Sequence, residues 1–272
     1  MNRSKKMALG YLYLVPPAVV AIGFGIGPVS YAFYLPLWLL NSALMLLAAL
    51  YLCRSQANGY TSSALLLLIP WLLFAIFGGM GPPPANISDW LATAQTQQAR
   101  YTILMAGGTC AYLGFGLLKR KLQNQGEVIY SVLGFALLTI ALPLFLLNMA
   151  FWGYYLPVAF KEFQLTTASP RPGWYLALRA LFYVIAVAEV ALTYLATLFF
   201  AVAMKNARLL SLVSCNCYCG FCIVGLILVL IPSSWPGPLG TAGFLAAIPA
   251  IPFIMPYLMA VRLLRGYSDW LI

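Results

Sequence analysis

Long apolar segments recur along the whole chain, and they constrain its fold more than any other feature. Each has about 18 or more mainly apolar residues, enough for a helix to cross roughly 30 Å of hydrocarbon. Of the 272 residues, 63 % are hydrophobic and only 7 % are charged. Since soluble domains have about 25 % charged residues, this chain cannot cover a water-facing surface with polar groups. The sequence therefore predicts an all-α integral membrane protein.

We predict about eight transmembrane helices in one bundle, forming a single polytopic domain over residues 1–272. The predicted spans are 8–27, 30–53, 61–80, 99–118, 128–150, 174–204, 208–231 and 240–263. The weakest connection is Gly27-Pro28, where a re-entrant hairpin would leave six true spans. The basic start and first apolar run resemble a signal peptide, but no clean cleavage site follows and Pro16-Pro17 interrupts the run. We interpret this segment as an uncleaved first helix.

Basic residues lie mainly on one side of the predicted bundle. With eight spans, both termini share that side, which carries eleven lysines and arginines: Arg3, Lys5, Lys6, Arg54, Lys119, Arg120, Lys121, Lys205, Arg208, Arg262 and Arg265. The opposite side carries only Arg100, Lys161 and Arg171. The positive-inside rule then predicts that both termini are cytoplasmic, and we expect a bacterial cytoplasmic (inner) membrane.

The net charge of +10 is interpreted as an orientation signal. Basic residues beside transmembrane segments contact anionic lipid headgroups, so we expect membrane lipids as partners and no nucleic acid. Other membrane subunits or further copies of the chain are additional candidate partners.

The residue types available exclude most membrane enzyme chemistry. The chain has no histidine, so histidine-ligated haem, histidine zinc sites and Ser-His dyads are ruled out. Asp89, Asp269 and all the lysines fall outside the apolar runs or at their margins. We therefore expect no enzymatic activity and no cofactor. A lipid-modifying enzyme, the weakest alternative, would have to use Glu189, Arg179, cysteines and hydroxyl groups.

Glu189 is the most informative residue. It lies about fifteen residues into the sixth span, near the expected bilayer midplane, where a charge costs roughly 2.5–3.5 kcal/mol and usually faces a cavity or bundle interior. Helical spacing puts Thr193 on the same face. Glu189 is either a carboxyl that couples transport to ions or protons, or a protonated group that hydrogen-bonds another helix. Transport predicts a water-accessible cavity reaching Glu189, and a dry, fully packed carboxyl would contradict it.

Asn41 and Arg179 complete the predicted ion or substrate pathway. Asn41 lies near the middle of the second span and is a plausible partner for Glu189 from another helix. Arg179 lies about 15 Å from Glu189 along the same helix, too far to pair within it. It either snorkels to the outer interface or attracts anions to a vestibule. Structural hydrogen bonds are the alternative role for Asn41, and also for Thr109 and Asn148.

The last span should not be a straight helix. Pro249, Pro252 and Pro256 lie within eight residues of one another, and each removes a backbone donor and frees a carbonyl. We expect the helix to kink or partly unwind. Broken helices line binding sites in many transporters, although bundles also tolerate them.

Four closely spaced cysteines suggest a metal site at first sight. At 100° per residue, Cys215, Cys219 and Cys222 share one helix face, whereas Cys217 points almost the opposite way. Four-thiolate sites use paired cysteines on turns, so we predict small packing residues and no metal.

The segments predicted to face outward contain short structural signals. Ser88 is the predicted N-cap of a helix with Asp89 in its first turn, and residues 94–100 should extend the fourth span outward. The aromatic residues of 151–174 are interpreted as an interfacial belt, with a re-entrant or lid segment as the alternative.

Two functions remain. The first is a small transporter or channel that uses Glu189, Thr193, Asn41 and Arg179. The alternative is a non-catalytic integral membrane subunit that anchors or scaffolds a larger complex, favoured by the short loops and the lack of catalytic side chains.

Overall fold

The computed structural model describes residues 3–25, 29–54, 59–80, 83–84, 86–166, 172–232 and 235–265. This part of the chain is helical with no strand. Its helices are α1 (Arg3–Gly25), α2 (Tyr31–Arg54), α3 (Thr61–Phe74), α4 (Phe77–Met80), α5 (Ile87–Ala92), α6 (Ala94–Gln123), α7 (Ile129–Ala150), a π-helix (Phe151–Tyr155), α8 (Leu156–Thr166), α9 (Tyr175–Asn206), α10 (Leu212–Leu230), α11 (Pro238–Ala246), a 3-10 turn (Ile251–Phe253) and α12 (Ile254–Arg265).

The helices fit a multi-pass membrane protein by their length and composition. Within the described ranges, seven are long and apolar enough to cross a membrane, or eight if the bent α11–α12 pair is one span. This agrees with about eight predicted spans, and both α1 and α2 are long enough to cross. The predicted Gly27-Pro28 connection lies outside the described residues.

The core lies along α3, α6 and α12, beside the extensive pair formed by α7 and α9. Glycine permits the closest approach of α3 and α6, because a Cβ on Gly114 would lie 3.0 Å from the backbone nitrogen of Leu67. Helices α1 and α2 are peripheral and leave most of their surface exposed. An exposed apolar helix surface is stable in lipid, so these two helices need only one packed face each.

The polar segment before the fourth span is helical, as predicted. Residues 94–100 are the first turns of α6, which runs without interruption to Gln123. The N-cap prediction was wrong by two residues: Asn86, not Ser88, caps α5. The Oδ1 atom of Asn86 accepts from the backbone N–H of Asp89 at 2.9 Å, and the Ser88 hydroxyl donates to that same oxygen. Asparagine places its carbonyl where a capping oxygen is needed.

The aromatic segment that follows α7 is largely packed inside the protein. Helix α7 continues through the π-helix into α8, so Ile129–Phe163 forms one long apolar segment. Phe151 stacks on Phe182 with ring centroids 3.7 Å apart, and Trp152 lies against Trp90. Other aromatic residues of the segment, such as Tyr154, are exposed. The interfacial belt stays a prediction, and these exposed aromatic residues are its candidates.

The last apolar segment is bent, as its prolines predict. Helix α11 and the segment from Ile251 to Arg265 meet at an angle of 64° across a short break. The break contains Pro249, and Pro252 and Pro256 follow at the start of the second segment. Proline removes the backbone donors that a continuous helix would need here.

Side-chain donors satisfy carbonyl groups at proline residues and helix breaks. Pro16 has no N–H to bond the carbonyl of Leu12, and the Tyr257 hydroxyl donates to that oxygen at 2.7 Å. The Tyr194 hydroxyl donates to the Ala246 carbonyl, at the break in the last span. These bonds explain how the bundle tolerates interrupted helices in an apolar environment.

Candidate functional site: a buried carboxyl between two helices

Glu189 lies close to the middle of α9 and faces α7. It is only 1 % exposed, and Val190 and Tyr194 beside it are also buried. Because α9 has 32 residues, Glu189 lies about 21 Å from one end and about 25 Å from the other. Its central position agrees with the sequence prediction, and its burial places a carboxyl where water does not reach in this structure.

One oxygen of this carboxyl is held by a short hydrogen-bond chain. The Nδ2 atom of Asn148 in α7 donates to Glu189 Oε1 at 3.0 Å. The indole N–H of Trp152 donates to Asn148 Oδ1 at 2.9 Å. Asn148 is only 3 % exposed, whereas Trp152 is half-buried. The chain therefore runs from the partly exposed π-helix to the centre of the bundle.

The second oxygen of the carboxyl is not satisfied. Glu189 Oε2 is buried and has no hydrogen-bond partner among the residues that the structure describes. A charged carboxylate needs a donor or a cation at this atom, whereas a protonated carboxyl needs an acceptor for its O–H. A buried polar atom without a partner destabilises a fold by about 1–3 kcal/mol. The carboxyl therefore has one oxygen whose hydrogen-bonding position is unfilled among the described residues.

Thr193 continues the polar face of α9. Its hydroxyl donates to the Glu189 carbonyl at 2.8 Å, and the Thr197 hydroxyl donates to the Thr193 carbonyl at the same distance. Each hydroxyl proton is used within the helix, so each hydroxyl oxygen still has acceptor capacity. The sequence correctly predicted that Thr193 and Glu189 share one face.

A small pocket of about 30 Å³ is lined by Thr193, the residue one helical turn after Glu189. Its walls come from α6, α7, α9 and the broken last span, and they include Thr193, Phe145 and Pro256. Glu189 itself does not line the pocket. The pocket has room for a water molecule, but most of its lining residues are apolar. The water-accessible cavity that transport predicts at Glu189 is therefore not found in this structure, and the dry carboxyl counts against an open pathway and favours a bond that joins helices.

The other two predicted pathway residues lie elsewhere. The Oδ1 atom of Asn41 accepts from the Tyr11 hydroxyl at 2.8 Å, which joins α1 and α2. The expected bond between Asn41 and Glu189 is therefore not formed, because α2 packs mainly against α1 and α3 and not beside α9. Arg179 is exposed near the start of α9, and no ion pair joins it to Glu189 in the described part of the chain. Only Glu189 and Thr193 are brought together.

Sequence reasoning did not connect two members of the site with Glu189. The structural hydrogen bond expected for Asn148 is formed, but its partner, Glu189, was not predicted. Trp152 was interpreted as part of the interfacial aromatic belt. Their spacing of four residues places them on one helix face, which is the available signal. That spacing cannot show which face of α7 meets α9, since this depends on how the helices pack.

The cysteines do not form a metal site in the described residues. Cys215 and Cys222 are buried, Cys219 is half-buried and Cys217 is exposed, in agreement with the predicted faces. The sulfur atoms of Cys215 and Cys219 are 3.9 Å apart, a contact expected for residues one turn apart.

Comparison with known proteins adds no functional assignment: the chain matches no protein-family model, no curated protein and no solved structure.

Proposed function

We propose that this protein is a small transporter that binds a proton or a monovalent cation at Glu189. The observation that carries this proposal is the buried, unpartnered Oε2 atom beside a carboxyl oxygen held by Asn148. A proton or a small cation would supply the missing charge or bond at that atom. Ionisable groups within membrane bundles typically mark ion pathways and proton relays.

The position of the pocket supports this proposal. Thr193 lines the pocket and follows Glu189 by one turn, while Phe145 lines it and precedes Asn148 by one turn. Along its helix axis, each member of the pair therefore follows or precedes a pocket-lining residue by about one turn, or roughly 5 Å. A change of side-chain rotamer or a small helix movement would bring the carboxyl to its wall.

The broken last span supports it further. Phe253 and Pro256, which follow the 64° bend, form one wall of the same pocket. Discontinuous helices beside a midplane site are a recurrent feature of secondary transporters. The pathway that we propose runs from Trp152 through Asn148 and Glu189 to Thr193, and it includes neither Asn41 nor Arg179.

A carrier is better supported than an open channel. A channel would need continuous water at the carboxyl, whereas Glu189 is closed off from both the pocket and the surface. This dry carboxyl contradicts the open pathway expected from the sequence, so the proposal is limited to a carrier in its closed state. A carrier passes through an occluded state in which its site is closed to both sides. We place the protein in a bacterial cytoplasmic membrane with both termini cytoplasmic, on the strength of its basic loop residues.

The test is ion flux through the purified full chain in lipid vesicles. Vesicles contain a pH-sensitive dye, and a potassium gradient with valinomycin sets the membrane potential. Radioactive sodium and rubidium uptake is measured in separate vesicles without valinomycin, because valinomycin itself carries rubidium. We expect the wild-type chain to conduct at least one of these ions above protein-free vesicles, and Glu189→Gln to reduce that flux at least tenfold. Glutamine preserves an oxygen that accepts from Asn148 but cannot bind or release a proton.

Glu162→Gln is the matched control, because it makes the same chemical change at an exposed carboxyl in α8. This variant should transport like the wild type. Absence of proton, sodium and rubidium flux in the wild-type chain would overturn the proposed transport of these ions. Wild-type flux in Glu189→Gln would refute the role of the carboxyl.

The second candidate is a non-catalytic integral membrane subunit in which Glu189 only joins helices. The observation that favours it is the 1 % exposure of Glu189 together with its bond to α7. This function predicts no flux and unchanged assembly in Glu189→Gln. Full transport activity by a purified lone monomer would contradict it.

A further inference from the structure

The exposed face of α10 carries a side-chain amide, that of Asn216, which has no hydrogen-bond partner among the described residues. Asn216 is exposed, and within the described ranges its side chain makes no hydrogen bond. It lies four residues after the start of a 19-residue helix, so it is about 6 Å inside a span of about 28 Å. An unpaired amide facing hydrocarbon is unfavourable, because lipid tails offer it no hydrogen bond.

The residues around Asn216 form a continuous seam along the helix. The seam has spacings of three and four residues and consists of Val213, Asn216, Gly220, Ile223, Ile227 and Leu230. Val213 is 72 % exposed and Leu230 is 60 % exposed. The opposite face of α10, which includes Cys222, packs on α9. The alternating spacing of three and four residues is that of two helices packed as a left-handed coiled coil.

Gly220 makes close contact possible next to the amide. It lies one turn after Asn216, and nothing lies within 4 Å of the position its Cβ would occupy. Small residues on membrane helices let two backbones approach closely, and side-chain amides can then bond across the interface. The helix α2 provides a contrast, because its amide, Asn41, points inward to Tyr11 and its exposed face is apolar.

We infer that the α10 seam binds a second copy of this chain in a parallel, two-fold symmetric dimer. A two-fold axis along the membrane normal brings equal positions of two α10 helices together. Asn216 would then meet Asn216 of the second copy, and an amide has both the donors and the acceptor that an identical amide requires. A second copy therefore supplies the hydrogen-bond partner that the Asn216 amide lacks.

The dimer is tested with the full chain in vesicles of phosphatidylcholine and phosphatidylglycerol. The chain carries one fluorophore, and photobleaching steps are counted over a range of protein-to-lipid ratios. We expect a dimer for the wild type. Asn216→Leu should raise its dissociation constant about threefold to thirtyfold, as expected for a cross-helix polar contact, and Asn216→Gln should largely restore dimerisation. Gly220→Leu should weaken the dimer at least as much.

Gly10→Leu is the matched control, because Gly10 in α1 is also exposed with nothing within 4 Å of its Cβ position. It should leave the dimer unchanged. An independent readout uses copper-phenanthroline oxidation in a Cys217→Ser background. Ile223→Cys, on the seam, should form an interchain disulfide, whereas Val224→Cys, one residue away, should form little. A wild-type monomer at all ratios, or a dimer insensitive to both seam substitutions, would overturn the inference.

Discussion

Replacing Asn148 by leucine should destabilise the bundle, because this substitution removes both bonds of the chain that holds Glu189. Glu189 Oε1 loses its donor at 3.0 Å and the Trp152 indole loses its acceptor at 2.9 Å. Cross-helix hydrogen bonds in membrane proteins contribute about 0.6–1.7 kcal/mol each. Two bonds therefore imply about 1–3 kcal/mol. We expect the lower half of that range, since the half-buried Trp152 has access to other acceptors.

The double substitution of Asn148 and Glu189 by leucine distinguishes the energy of their hydrogen bond from the effect of the changed side-chain shapes. When both partners become apolar, no buried polar atom of the pair is left unsatisfied, and such replacements are often nearly neutral. The double variant should therefore be more stable than the sum of the single changes predicts, with a coupling energy of about 1–2 kcal/mol. Leu147→Met is the control for an unspecific effect of substitution in this turn of α7. Leu147 is an exposed neighbour of Asn148, and methionine has nearly the same volume, so the free energy of unfolding should not change.

The assay is reversible unfolding of the purified full chain in mixed micelles, driven by sodium dodecyl sulfate and followed by helical circular dichroism. The free energy of unfolding is compared for the wild type, both single variants, the double variant and the control. A value for Asn148→Leu within about 0.3 kcal/mol of the wild type, well below the size expected for one such bond, would refute the reasoning. A coupling energy near zero would do the same.

Three further predictions concern the scaffold around the site. Tyr257→Phe should lower the free energy of unfolding by about 1 kcal/mol, because it removes the hydroxyl that donates to the Leu12 carbonyl. In a Pro16→Ala background the loss should be smaller, because residue 16 then has a backbone N–H for that carbonyl. A double-mutant unfolding cycle measures both effects. Gly114→Ala should lower the unfolding free energy by about 1–3 kcal/mol, whereas Gly10→Ala, in open space, should not lower it. Asn86→Ala should destabilise the first turn of α5 by about 1 kcal/mol, and Ser88→Ala should destabilise it by less. Hydrogen exchange at the Asp89 amide should therefore show a larger loss of protection in Asn86→Ala than in Ser88→Ala.

The long helices of this protein were predictable because hydrocarbon imposes one strict condition on a chain. Backbone groups must be satisfied internally, so each apolar run becomes a helix of about the required length. The same rule predicted the break in the last span from Pro249, Pro252 and Pro256. It could not indicate that Tyr194 donates to the carbonyl of Ala246 at that break.

The candidate site was predictable only along α9. Glu189 and Thr193 are one turn apart in a single helix, so their shared face follows from helical periodicity. The hydrogen-bond partner of Glu189 does not follow from helical periodicity. It depends on which helix lies beside α9 and how that helix is rotated. Asn41 and Asn148 are both asparagines in apolar spans, and their sequence positions do not distinguish them as partners.

By itself, the sequence determined that this chain forms apolar helices of membrane-spanning length and that the one carboxyl near the centre of a predicted span is Glu189. Those conclusions depend on composition and on periodicity within one helix, which short-range physics controls. Only the tertiary structure decided that Asn148 and Trp152 are linked to Glu189 by hydrogen bonds, that Asn41 and Arg179 are not, and that one carboxyl oxygen has no partner in the described residues. In lipid, helix association depends on close packing and a few polar contacts between segments far apart in sequence, so the pairing of helices emerges only when the bundle is assembled.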